Sequence, residues 1–89
     1  MIANQDREMI VRLARKYGVS SVFLFGSSAV EGKEPHDIDI GVRGIEPRLF
    51  FRFCGELLMS LSKPVDVINL LHRTRFTDLV EKNGVRIYG

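Results

Sequence analysis

Tryptophan is absent from this 89-residue chain, cysteine occurs once and proline three times. A single thiol, Cys54, excludes an internal disulfide framework and agrees with a reducing, cytoplasmic setting. No run of about 18 apolar residues is present, so no segment is predicted to cross a membrane. The start, Met1 to Glu8, has no basic stretch leading into an apolar one and predicts no cleaved signal. Charge of one sign is also scarce: 13 Lys and Arg stand against 11 Asp and Glu, for a net charge of +2. The basic residues are scattered, which predicts solvated faces and no direct nucleic-acid binding. Repeats, linkers and low-complexity segments are missing too. What remains is an ordinary globular composition, 45% hydrophobic and 27% charged. It fits one domain over residues 1–89 with a modest core, since a chain this short buries about 60–65% of its unfolded surface.

The apolar pattern alternates between helical and strand periods. Met9, Ile10, Leu13, Ala14 and Tyr17 recur at helical spacing and predict a helix over 5–17, capped by Asn4 and stopped by Gly18. Ser20 to Phe25 reads as a strand, and Val22-Phe23-Leu24-Phe25, apolar on both faces, predicts a central position. A short helix opened by Ser27 follows to about Glu31, then Gly32 and an exposed loop. Asp37 to Val42 is the second strand. Pro47 opens what reads as the longest helix, with Phe50, Phe53, Cys54, Leu57, Leu58 and Leu61 as its buried stripe. Pro64 leads into a third strand, Val65 to Leu70. A helix from Arg75 to Lys82 is capped by Thr74, turns Phe76, Leu79 and Val80 inward and ends at Gly84. Val85 to Tyr88 alternates as a last strand or docked tail. The order predicts an α+β (α/β) domain, a small mixed sheet with helices packed on it.

Chemistry concentrates between Val22 and Val42. Asp37 and Asp39 alternate with Ile38, Ile40 and Val42, so a strand turns both carboxylates to one face and the apolar residues to the other. Their Cα atoms are then about 7 Å apart. Two like charges about 5 Å apart repel by roughly 3 kcal/mol at an effective dielectric near 20. A divalent cation or a raised pKa relieves such a pair. Asp66, also flanked by apolar residues, joins them if the third strand lies beside the second. Three carboxylates suit one or two Mg²⁺ ions, hard cations that keep positions free for substrate phosphates. Gly26-Ser27 supplies a sharp turn before a helix start, where free N–H groups face a phosphate. The combination specifies nucleotidyl or phosphoryl transfer with two metal ions.

Phe25-Gly26-Ser27-Ser28-Ala29, Asp37-Ile38-Asp39-Ile40, Val65-Asp66-Val67 and the ending Val80 to Tyr88 together resemble the DNA polymerase β-like nucleotidyltransferase superfamily, in particular its stand-alone minimal nucleotidyltransferases (MNT). The resemblance covers almost the whole chain. It implies a nucleotidyltransferase fold, with Gly26, Ser27 and Ser28 at the nucleotide and Asp37, Asp39 and Asp66 as catalytic metal ligands. It implies two Mg²⁺ ions and ATP as the substrate. Proteins of this group are often antitoxins of small all-helical HEPN toxins, some adenylylating a tyrosine of the toxin. The implied function is therefore Mg²⁺-dependent adenylyl transfer to a partner hydroxyl, with non-catalytic neutralisation by complex formation as the alternative. A homo-oligomer stays open. Ser28 stands where many relatives carry arginine, and His36 where many carry serine before the first acid. His36, His72, Arg73 and Lys33 read as solvated, and Cys54 as a small core residue. Phe51 neighbours Phe50, so one of the two faces out of the core and Phe51 is a candidate partner contact.

Overall fold

Ile38, Ile40 and Val42 send their side chains to one face of a strand while Asp39, Gly41 and Arg43 take the other. That period of two organises the domain. The computed structural model describes all residues, Met1–Gly89. Its elements are α1 (Asn4–Lys16), β1 (Ser21–Leu24), a 3₁₀ turn (Gly26–Ala29), β2 (Ile38–Arg43), a second 3₁₀ turn (Pro47–Leu49), α2 (Phe50–Ser60), β3 (Val65–Asn69), α3 (Arg75–Asn83) and β4 (Val85–Tyr88).

The strands form one mixed sheet in the order β3-β2-β1-β4. β1 runs antiparallel to both β2 and β4, and β2 runs parallel to β3. All four β1 residues are buried, as the doubly apolar sequence predicts for a central strand. The ending Val85–Tyr88 is a true edge strand. The parallel β2–β3 pair needs a crossover, and α2 supplies it.

Two cores flank the sheet. The larger joins Val22, Leu24, Ile38, Ile40 and Val42 to Ile10, Leu13 and Ala14 of α1 and to Phe53 and Leu57 of α2. The smaller joins Phe23 to Leu70 and to Val80 of α3. Gly41 permits this second layer. A Cβ there would lie 2.9 Å from Val80 and 3.1 Å from Leu70, closer than carbon atoms pack.

Several sequence expectations need correction. Ala3, not Asn4, occupies the α1 N-cap and makes no side-chain cap, so Asn4 opens the helix. Gly18 ends it as expected, its N–H bonding the Arg15 carbonyl at 3.2 Å. The residues after Pro47 form a 3₁₀ turn before α2 begins, which leaves α2 with 11 residues against 13 in α1. Leu58 is exposed and Cys54 half-buried, because β3 is an edge strand and no further strand covers the outer flank of α2. Phe51 is 83% exposed. On α3, Val80 is buried as expected, but Phe76 and Leu79 are half exposed and Thr77 takes the inward place. Thr77 faces inward because it closes a capping box: Thr74 Oγ1 accepts from the Thr77 N–H at 3.1 Å, and Thr77 Oγ1 accepts from the Thr74 N–H at 2.8 Å.

Asp6, in the first turn of α1, is 4% exposed and accepts from the Ser62 N–H at 3.0 Å and the Ser62 hydroxyl at 2.6 Å. These bonds tie α1 to the loop entering β3. Asp6→Ala is expected to cost about 2–3 kcal/mol by stranding the Ser62 donors. Urea unfolding with an unchanged slope checks it.

Candidate active site

β2 and β3 pair with Asp39 directly beside Asp66. Neighbouring residues of a parallel pair share a face, so the two carboxylates stand on the same side of the sheet. That side is opposite α1 and α2, because Ile38, Ile40, Val65 and Val67 all pack into the larger core. Asp37 shares the face two residues upstream of Asp39, but it lies just before β2 and not within it. Asp37 and Asp66 are exposed, while Asp39 is only partly accessible. The side chains of the three acids stand apart, and no three of them are grouped as ligands of one ion. The backbone brings them together; the two exposed side chains are free to turn.

Electrostatics ties the three more closely. Burial raises the Asp39 carboxyl above the usual carboxylate range, and the charges of Asp66 and Asp37 raise it further. An all-oxygen, mutually repelling donor set of this kind fits a hard divalent cation.

The Gly26 turn completes the site. β1 ends at Leu24, and Gly26 enters a left-handed conformation, φ +60°, that folds the chain back over β2. A Cβ on Gly26 would meet Asp39 Oδ2 at 2.9 Å. Only glycine lets the turn approach the carboxylate so closely. The expected helix from Ser27 is a four-residue 3₁₀ turn that starts at Gly26, too short to sum a macrodipole. Gly26 is exposed and Ser27 half-buried at the open side. Ser28 is turned inward with no exposure, so its side chain contacts β2 and not solvent.

Beside Gly26 a cavity of about 380 Å³ opens between the turn and α3, lined by Phe25, Ala29, Phe76, Leu79 and Asn83 among others. Phe25 and Phe76 meet edge to face across it, their centroids 5.8 Å apart. Phe76 was expected in the core, and this lining position is the reason it is half exposed. A larger cavity of about 590 Å³ lies along Arg7, Arg12 and Arg15 on the outer side of α1, across the sheet from the acids. His36, Lys33 and His72 are exposed. Arg73 is exposed with Asp78 at 3.9 Å.

Gly26→Ala is expected to lower stability by about 1–2 kcal/mol through its left-handed backbone. By pushing Asp39 aside it is also expected to weaken, about tenfold, the hold of the acidic face on an added divalent cation such as Mg²⁺. Denaturation and Mg²⁺ titration on one sample separate the two effects.

Comparison with known proteins follows the same outline. Among solved structures, the MntA-HepT toxin–antitoxin aligns over 98% of this chain and 73% of that one, at 19% identity and TM-score 0.72. A toxin–antitoxin structure with AMP-PNP aligns over 98% and 74%, at 20% identity and TM-score 0.74. A tri-AMPylated Shewanella oneidensis HEPN toxin in complex with MNT antitoxin aligns over 94% and 70%, at 21% identity and TM-score 0.72. At these identities the likeness carries the fold. No curated protein sequence matches the chain. The family described as Polymerase beta, Nucleotidyltransferase matches residues 8–89, nearly the whole length and every residue of the acidic face and its turn. The chain belongs to the polymerase beta nucleotidyltransferase family.

Proposed function

We propose that the protein is a Mg²⁺-dependent adenylyltransferase that modifies a hydroxyl, a tyrosine by the family resemblance, on a small helical HEPN toxin and so acts as its antitoxin. The observation that carries this reading is the in-register pair Asp39 and Asp66 with the Gly26 turn set against Asp39. The structural neighbours support the partner: one is a MntA-HepT pair, one contains AMP-PNP, and one holds a tri-AMPylated toxin.

Asp37 and Asp39 would be the shared ligands of Mg²⁺, with Asp66 completing the set. Bound Mg²⁺ supplies charge neutralisation of the triphosphate and lowers the pKa of the acceptor hydroxyl. Gly26 and Ser27 hold the triphosphate by backbone N–H groups at the turn. The acceptor oxygen forms a bond to the α-phosphorus, the bond to the β-phosphate oxygen breaks, and pyrophosphate leaves. Asp66, exposed at the side of the sheet that a partner can reach, takes the acceptor proton.

The test is titration of ATP into the pure protein with and without Mg²⁺, followed by mass spectrometry of the partner after incubation with both. Mg²⁺-dependent binding and a gain of adenylyl groups on the partner support the reading. A partner that is neutralised and remains unmodified, by a chain that binds no ATP even in the complex, replaces it with neutralisation by complex formation.

A further inference from the structure

We propose that Ser28 is a positioning residue for Asp39 of β2 and for Asp37 just before it: its hydroxyl continues the strand ladder that the backbone abandons at Gly26. This inference rests on the transfer reading above.

Backbone directions alternate along a strand. Ile38 donates its N–H to the Pro64 carbonyl at 2.8 Å, on the β3 side, so the Asp39 N–H faces the β1 side. There the Phe25 N–H donates to the Asp39 carbonyl at 3.1 Å, and immediately afterwards the chain turns away at Gly26. Asp39 thus loses the strand partner its N–H needs. Ser28 replaces it. Its Oγ accepts from the Asp39 N–H at 3.0 Å and donates to the Asp37 carbonyl at 3.4 Å. One side chain therefore grips the backbone on both sides of Ile38, at the residues that carry the two acids.

The placement suits a positioning role. Ser28 has no exposure, so its hydroxyl is shielded from competing water. Ile38 is also fully buried and anchors the same segment from the opposite face. Gly26, in the same turn, comes so near Asp39 that a Cβ there would meet Oδ2, so Ser28 links the chain that would hold phosphate to the strand that would hold metal. Asp37, outside β2 proper, has no other hydrogen-bonded tie of this kind on that side.

The experiment compares Ser28→Ala and Ser28→Cys with the wild type in the absence of nucleotide. It reads hydrogen exchange at the Asp39 amide, thermal stability, and Mg²⁺ affinity from amide chemical shifts. Ser28→Ala is expected to speed Asp39 exchange by about tenfold or more and to weaken Mg²⁺ binding by about 10–100-fold. Ser28→Cys refills the volume with a weak hydrogen-bonding group, so it is expected to recover stability without recovering Mg²⁺ affinity. Recovery of affinity by cysteine would reduce Ser28 to packing and overturn the proposal, as would unchanged affinity in Ser28→Ala. A wild type that shows no Mg²⁺ response sinks the transfer reading and the positioning role with it. The exchange measurement still reports separately whether the ladder bond exists. Unchanged Asp39 exchange in Ser28→Ala removes that bond and the proposal together, whatever the metal does.

Discussion

Asp39→Asn is expected to abolish nucleotidyl transfer while making the Mg²⁺-free fold more stable. The two effects have one cause. Asp39 is held partly buried beside two other acids, and burial is the larger reason its carboxyl is raised. An acid with a raised folded pKa binds more protons folded than unfolded at pH values between the two. Stability therefore falls as pH rises through that window, and the ionised group is a standing cost above it. Asparagine keeps the shape and removes the charge. The gain is on the order of 0.5–1 kcal/mol once solvent screening is allowed for, or a melting point higher by about 2–8 °C. Below the unfolded carboxylate range the two proteins should converge. Glu56 and Glu81 are shifted down by Lys16 and Arg43 and work in the opposite sense, so the wild type minus variant difference isolates Asp39. On the proposed reading, added Mg²⁺ should stabilise the wild type by mass action and leave the variant unchanged. Transfer should fall by about 10³-fold or more, because losing the proposed metal ligand would remove several kcal/mol of transition-state stabilisation. A variant that melts lower than the wild type without Mg²⁺ would show that the carboxylate is structural.

The acidic face was legible in the sequence because strand periodicity is strict: Ile38 and Ile40 can reach the core only if Asp39 faces away. Asp66 was legible as an acid set in an apolar strand, but that this strand lies beside β2 stood only as a condition, which the parallel pairing meets. Local reading failed where tertiary context decides. Asp37 falls outside β2 because β1 turns away at Gly26 and leaves too little ladder to extend the strand. Phe76 and Leu79 carry a helical apolar pattern, yet α3 rests mainly on β1 and β2 through Val80, so they flank a cavity. Ser28 was expected at the nucleotide, since a hydroxyl beside Gly-Ser carries no sign of which way it points. The usable clue was spacing: a β1 that ends in a tight turn leaves the next strand's outward N–H without a partner, and a hydroxyl nearby can supply it. The 3₁₀ turn in place of a helix is a similar case, because four residues cannot express a helical period.

Phe53→Ala is expected to bring the whole domain close to unfolding. Phe53 is fully buried and meets Tyr17 edge to face with centroids 5.6 Å apart, which locks α2 to α1 over the sheet. Large-to-small changes of this kind cost about 3–5 kcal/mol. An 89-residue chain has only about 4–13 kcal/mol of stability in total. The same helix supplies its own control: Phe51 is 83% exposed and touches Phe50, so Phe51→Ala should cost only about 0.5–1 kcal/mol. Urea unfolding of both variants measures the contrast. The result bears on the site because α2 holds β2 and β3 from behind, through Val65, Val67, Ile38 and Ile40. Asp39 and Asp66 repel one another across that strand pair. The parallel ladder sets their register, and α2, packed behind both strands, supports it. Weakening that packing should loosen the acids before it melts the helices, with hydrogen exchange rising first at β3, the one of the two edge strands that α2 backs. If β4 opens ahead of β3 in Phe53→Ala, the acidic pair is held by something other than the core behind it.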